Sequence, residues 1–310
     1  GALSLVPGRS RQFLLAGLLM ALAAGFQLQT ASAYRDQFKQ TRSFFWQLAW
    51  RAPKILPGTR ILAQDDTTFQ FDDGEALGIV LNWMYAGDPA AQPLPYQYLM
   101  LSTEADATLE GMLAAEKPAL ALVLRYSDTS CLHVLDPRYD GWLSSLTQEA
   151  DIRQAAAMRL PLVPKNTLRA LGLSNPSGVI ADSGAPGWVM PSLLGAEPAH
   201  GWCYTYQKAD LARQQGDWQA VAHLGDLAFA VPVLPDDDYE YLPFIEAYTR
   251  LGRVKDARLL TRQVLQDMPL LRPALCAIWM RAEEQATLAA ATAAEMKSEL
   301  QVCPVQLYDH

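Results

Sequence analysis

Between Phe13 and Phe26 the chain carries no charged residue, and this run follows a basic pair, Arg9 and Arg11. A bilayer span needs about 20 apolar residues. The strictly apolar stretch is shorter, and Gln27 and Gln29 extend it to Thr30 if their faces pack against other helices. The same run also fits an export signal, with a basic start, a short apolar core and Ala31-Ser32-Ala33 as a small-x-small cleavage site. The apolar phrase from Gly1 to Gly8 ahead of the arginines, and the lack of an initiator methionine, favour a terminal transmembrane helix over residues 1–33. Charge does not orient it, because Arg9 and Arg11 face Arg35, Lys39 and Arg42 across the run. On either reading, residues from about 34 onward are expected on the extracytoplasmic side of a bacterial membrane.

Residues 34–59 follow as a juxtamembrane helix and turn. Aromatic residues alternate with Arg35, Lys39, Arg42 and Arg51, which suits the headgroup layer and makes Phe45, Trp46 and Trp50 candidate membrane-interface residues. An amphipathic helix packed on its own domain gives the same pattern. Pro53 and Pro57-Gly58-Thr59 end it.

From residue 60 to 171 short apolar runs alternate with helical stretches. Strands are expected at 60–63, 97–101, 119–126 and 131–135, and helices at 74–85, 107–117 and over much of 145–172. Strand-helix-strand-helix-strand implies a small parallel α/β sheet. It holds no GxGxxG or GxxxxGK[ST] loop, so no nucleotide or other cofactor is expected. Asp65, Asp66, Asp72 and Asp73 gather after the first strand, where such folds place ligands, although acidic loops are usually only solvated. The Gly-, Pro- and Ser-rich stretch 172–200 reads as an irregular linker.

The last part, 201–310, is helical. Gly216-Asp217-Trp218 and Gly252-Arg253-Val254 lie 36 residues apart, each between two helical segments. With Gly252 counted as position 15, Tyr248 falls at 11, Ala257 at 20 and Pro269 at 32, the positions of a tetratricopeptide repeat. The first unit matches less well, and segments 273–286 and 289–301 make a third, degenerate pair. The expected fold class is thus α/β plus all-α, with a membrane helix at the N-terminus and tetratricopeptide-like repeats at the C-terminus. The inner faces of the first helices would carry Tyr206, Asp210 and Arg213 in one unit and Leu242, Glu246 and Arg250 in the next, as candidate partner-binding residues. The alternative is a groove filled by the chain's own 172–200 segment.

Four cysteines, Cys131, Cys203, Cys276 and Cys303, allow three disulfide pairings. Cys203 and Cys276 sit near the starts of first helices two repeats apart. At roughly 8–10 Å per stacked helix they exceed the ~7 Å Cα limit of a disulfide. Cys276 opens one helix and Cys303 follows the next, so a hairpin brings them together. If bonds form, they are expected at Cys276–Cys303 and Cys131–Cys203. Buried free thiols are the alternative.

His133, His200, His223 and His310 make no zinc-ligand pattern with the cysteines, so no metal is expected. Ser102, Ser130 and Ser174 sit in no GxSxG turn, which leaves an independent hydrolase without support. The net charge of −8, with no Lys/Arg cluster, argues against nucleic acid. The phrase from Tyr34 through Trp46, Trp50-Arg51-Ala52-Pro53 and Pro57-Gly58-Thr59 to Leu81-Asn82-Trp83-Met84-Tyr85 resembles the C-terminal part of large, uncharacterised membrane proteins of Chloroflexota-like bacteria. So do Trp202-Cys203-Tyr204, Lys208 through Trp218, and Pro243-Phe244-Ile245-Glu246. The membrane portions of those proteins are similar to multi-pass C-type glycosyltransferases that use lipid-phosphate sugars. In that superfamily the catalytic acidic residue lies in the first external loop, upstream of these residues, so no catalytic residue carries over. The resemblance implies a non-catalytic extracytoplasmic region that positions a glycan acceptor or protein partner beside membrane lipid. A stand-alone exported or filament-associated protein, using its repeats for assembly, is the reading from a different class.

Overall fold

The computed structural model describes residues 8–64, 74–86, 93–101, 107–115, 120–127, 130–145, 165–181, 194–231, 235, 237–285 and 289–303. One helix, α1 (Arg9–Arg51), joins the apolar run to the juxtamembrane segment without a break. Its 43 residues span about 64 Å at 1.5 Å per residue. The helix is long and apolar enough to cross a membrane, and its apolar window is unburied. From Phe44 to Ala52 it is buried in the folded unit.

Behind α1 comes β1 (Lys54–Ile55), and then β2 (Arg60–Gln64), α2 (Gly74–Tyr85), β3 (Gln97–Leu101), α3 (Ala107–Leu113), β4 (Ala121–Ser127) and β5 (Ser130–Leu135). The sheet order is β3-β2-β4-β5, with β2 parallel to both β3 and β4, and β5 antiparallel to β4. The β2-to-β3 connection moves one way along the sheet and β3-to-β4 moves back. Crossovers are right-handed, so this reversal puts the two helices on opposite faces. Leu77 and Leu81 of α2 accordingly pack with Ile61, Leu122, Leu124 and the end of α1. Leu109 and Met112 of α3 pack with Leu62, Val123 and the C-terminal helices. Alternation along β2 and β4 feeds both layers, as a sheet covered on two faces requires.

A short helix, α4 (Pro137–Asp140), and a 3-10 turn (Gly141–Ser145) leave β5. After them come α5 (Lys165–Ala170) and β6 (Val179–Ile180), which pairs antiparallel with β1. The stretch expected to be wholly irregular therefore supplies one short strand. Three helical hairpins follow: α6 (Trp202–Gln215) with α7 (Trp218–Phe229), α8 (Leu242–Arg250) with α9 (Val254–Asp267), and α10 (Arg272–Glu284) with α11 (Ala290–Leu300). The first two share a turn device. Gly216 and Gly252 adopt φ of 75° and 70°, and Asp217 and Arg253 donate back to the carbonyls of Ala212 and Tyr248. Left-handed glycine at this point ends a helix with its last carbonyls satisfied.

The hairpins are not a separate body. One apolar core runs from Leu62 and Val123 of the sheet to Trp279 and Val302 of the last hairpin. The 182–193 part of the expected linker, and the expected helix over 146–164, lie outside the described residues.

Candidate functional site

Two positions in the sheet break an otherwise apolar pattern: Arg125 in β4 and His133 in β5, which are direct cross-strand partners. Both side chains lie on the sheet face that meets α6, and both are buried. A charge cannot be left alone there, so partners must converge on it. Arg125 Nη2 lies 2.5 Å from Asp237 Oδ2. His133 Nδ1 is 2.9 Å from the Tyr206 hydroxyl, and its ring meets Tyr239 edge-on at 4.6 Å. Its other nitrogen, Nε2, has no hydrogen-bond partner and lies 3.9 Å from Asp237 Oδ2 and 3.8 Å from Glu240 Oε1. Burial, with Arg125 and Arg213 nearby, holds this imidazole well below the ordinary histidine range, so it is neutral.

Glu240 accepts from the backbone N–H of Cys131 at 2.7 Å and from the Trp202 indole N–H. Burial, reinforced by Asp237, pushes its carboxyl up to about 8. The network continues through Tyr239, which donates to Asp140, whose carboxyl burial raises to about 6. Beyond it lie Arg213, Asp210 and Arg51. Arg51 Nε is 2.5 Å from Asp210 Oδ2, and Arg213 Nη2 is 2.6 Å from Oδ1. Burial opposes the charge on Asp210, but the two guanidinium groups hold its carboxyl below the usual range.

Among the described residues His133, Asp237 and Glu240 offer the one set of ligand atoms, all within 4.8 Å of one another, that could hold a metal ion. Arg125 already sits on one Asp237 oxygen, and N–H groups already fill a position on each Glu240 oxygen. These contacts make the three side chains parts of a buried structural network.

The residues expected to bind a partner are used within the chain. Tyr206, Asp210 and Arg213 are buried in the network just described, and Leu242 lies in the core. Glu246 is fully buried and pairs with Arg250 at 3.0 Å and Arg281 at 2.9 Å. Tyr139 of α4 enters from the sheet side, under the guanidinium of Arg213 at 4.4 Å. Among the described residues, the end of α1, the 136–145 segment and parts of 172–200 all pack on these helices, with Gln214 donating to the Pro176 carbonyl. Phe45, Trp46 and Trp50 likewise lie in the core and not at an open interface. Trp50 donates to Glu197 at 2.7 Å and meets Tyr204 edge-on. The helix periodicity that exposes them in an isolated α1 is overruled by the sheet and α6 packing on that segment.

Cys131 is bonded to Cys203 and Cys276 to Cys303. The first ties β5 to α6, and the second closes the last hairpin. Cys131, Trp202 and Glu240 thus form a single knot. Asp65, Asp66, Asp72, Asp73, Ser102 and His310 lie outside the described residues, while Ser174 donates to the Leu135 carbonyl and receives the Val123 N–H as a structural bridge.

An open cleft of about 330 Å³ lies beside this network, lined by Asp136, Arg138, Ser174, Asn175, Ser177 and Gln214. Asp136 holds the exposed Arg138 at 2.6 Å, and Gln214 is engaged by Arg51 and the Pro176 carbonyl. No family model, curated protein or solved structure matches the chain. The apolar N-terminal helix and the two disulfides together mark a membrane-anchored or exported protein.

Proposed function

We propose that this chain is the non-catalytic extracytoplasmic region of a multi-pass bacterial membrane protein of the C-type glycosyltransferase kind, and that it holds an acceptor or partner in place. The observation that carries this reading is the path of α1. The apolar helix continues unbroken into the centre of the folded unit, where Arg51 locks it to Asp210 of α6. A domain held this way keeps a fixed orientation to the bilayer, which suits positioning. The cleft beside the network carries Arg138, Asn175 and Ser177, side-chain types that can hydrogen-bond a hydroxyl-rich ligand such as a glycan. The resemblance of the Tyr34–Tyr85 and Trp202–Glu246 phrases supplies the protein class. The mass of the native polypeptide in source membranes tests the proposal. A species far heavier than 34.2 kDa is expected, and one near that mass contradicts it.

A second reading is favoured by the hairpins. Their shared Gly216 and Gly252 turns and serial stacking support a tetratricopeptide-like array in a stand-alone assembly protein. It requires the smaller mass and a partner contact on the outer helices, because the inner faces are filled.

A further inference from the structure

The position of the bilayer surface along α1 follows from where burial begins. Residues 12–33 cover about 33 Å at 1.5 Å per residue, close to the ~30 Å of a hydrocarbon core. Burial against the folded unit starts at Gln37 and Thr41 and is complete from Phe44. The headgroup layer must fit between the span and Phe44, where burial becomes complete.

That interval is not polar. Tyr34 is 55% exposed and Phe38 is 56% exposed, one helical turn apart on one face. Arg35 and Lys39 are exposed on the adjoining face, and Asp36 pairs with Lys39 at 2.8 Å. Two large exposed aromatic rings beside two cations match the composition of a membrane interface, where a ring's apolar body lies among the acyl ends and cations meet phosphate. The aromatic residues two and three turns further, Phe45, Trp46 and Trp50, cannot do this because the domain covers them. At Arg42 the loop at Gly195 and Ala196 already braces the helix.

Building on the membrane reading above, we infer that Tyr34 and Phe38, with Arg35 and Lys39, form the lipid-headgroup seat of this protein. The folded unit therefore stands directly on the bilayer, with the 194–200 loop on its membrane-proximal side. Because α1 does not break between the span and Arg51, the depth of Phe38 sets the height of the whole domain.

The test uses the full chain in vesicles of phosphatidylcholine and phosphatidylglycerol. A nitroxide is attached to a cysteine introduced by Met20→Cys, Phe38→Cys or Leu259→Cys, the last on the exposed face of α9. Collision with oxygen and with a water-soluble nickel complex then reports depth. The Met20 label is expected in hydrocarbon, the Leu259 label in water, and the Phe38 label within a few ångströms of the phosphates, with nickel collisions several-fold below those at Leu259. A Phe38 label as open to nickel as Leu259, with Met20 still in hydrocarbon, overturns the seat and leaves the span standing. Nickel access at Met20 overturns both. Arg35→Gln with Lys39→Gln adds a second readout: replacing phosphatidylglycerol by phosphatidylcholine should shift the Phe38 depth in the parent and not in this variant. An equal shift in both contradicts the cationic half of the seat.

Discussion

Arg51, the last residue of the anchoring helix, places its Nε 2.5 Å from Oδ2 of Asp210 in the first helix of the C-terminal array, with both side chains almost wholly buried. Asp210 also meets Arg213, so one carboxylate pairs with two buried guanidinium groups at once. Removing one partner of a buried pair leaves an uncompensated charge and costs about 3–5 kcal/mol. Asp210→Asn is therefore expected to destabilise the protein by about that amount. Arg51→Met should cost less, since Asp210 keeps Arg213. Chemical-denaturation midpoints of the full chain in detergent give the order, and a larger loss for Arg51→Met would contradict it.

Glu240 gives stability a pH dependence of a definite sign. Its carboxyl titrates near 4.5 when unfolded and at about 8 when folded, so the folded state binds the extra proton between these values. Stability then falls as pH rises from about 4.5 to about 8. His133 acts in the opposite sense, since its depressed folded value removes stability only as pH falls below 6.5. Between 6.5 and 8 the decline belongs to Glu240. Glu240→Gln should flatten the thermal midpoint across that window, and an unchanged slope would assign it to another group.

The two disulfides should not be equal. Cys131–Cys203 closes a 72-residue separation and Cys276–Cys303 one of 27. The loop-entropy estimate is on the order of 4 kcal/mol for the first and 3 for the second. Paired Cys→Ser variants, compared by thermal unfolding, are expected to show the larger loss at Cys131 and Cys203, where Glu240 and Trp202 also depend on the bond.

Packing between the first two hairpins can be tested with one methyl group. A Cβ at Gly225 in α7 would approach Phe244 Cδ1 to 2.7 Å and the Tyr248 hydroxyl to 2.9 Å. Gly225→Ala should cost about 1–3 kcal/mol through overpacking, in spite of a helix-propensity gain near 1 kcal/mol. Gly111→Ala in α3 meets nothing within 4 Å and should be neutral or stabilising. If both glycines respond alike, the α7–α8 contact is wrong.

The parts of the fold readable in the sequence were those with local signals. The β2–β5 strands, α2 and the last hairpin follow from periodicity and lie within a few residues of their expected bounds, and the first two hairpins turn at the expected Gly216 and Gly252. Cysteine pairing followed from helix spacing. The site was harder to read because its members come from distant segments. Asp210 and Arg213 showed themselves as helix-face residues, but nothing local says that Arg51 and Asp140 close over them. One signal of the site is local: Arg125 and His133 interrupt the apolar runs ALVLRY and CLHVL on the same alternating face. A polar residue in such a strand requires buried partners, and Asp237, for Arg125, and the Tyr206 hydroxyl, for His133, supply them. The burial of Phe45, Trp46 and Trp50 escapes the sequence pattern for a related reason. Helical periodicity reports which residues share a face, and only the packed domain decides where that face meets lipid.

A membrane-held chain must keep its folded unit, with both disulfides, in an oxidising compartment. Cells producing the full chain can be quenched in acid and alkylated with N-ethylmaleimide under denaturing conditions without reductant. Membranes are then washed in alkaline carbonate, and the modified cysteines are counted by peptide mass. The expected result is a chain that stays in the membrane pellet with Cys131, Cys203, Cys276 and Cys303 all unmodified. Release into the wash, or alkylation of all four cysteines, would contradict it.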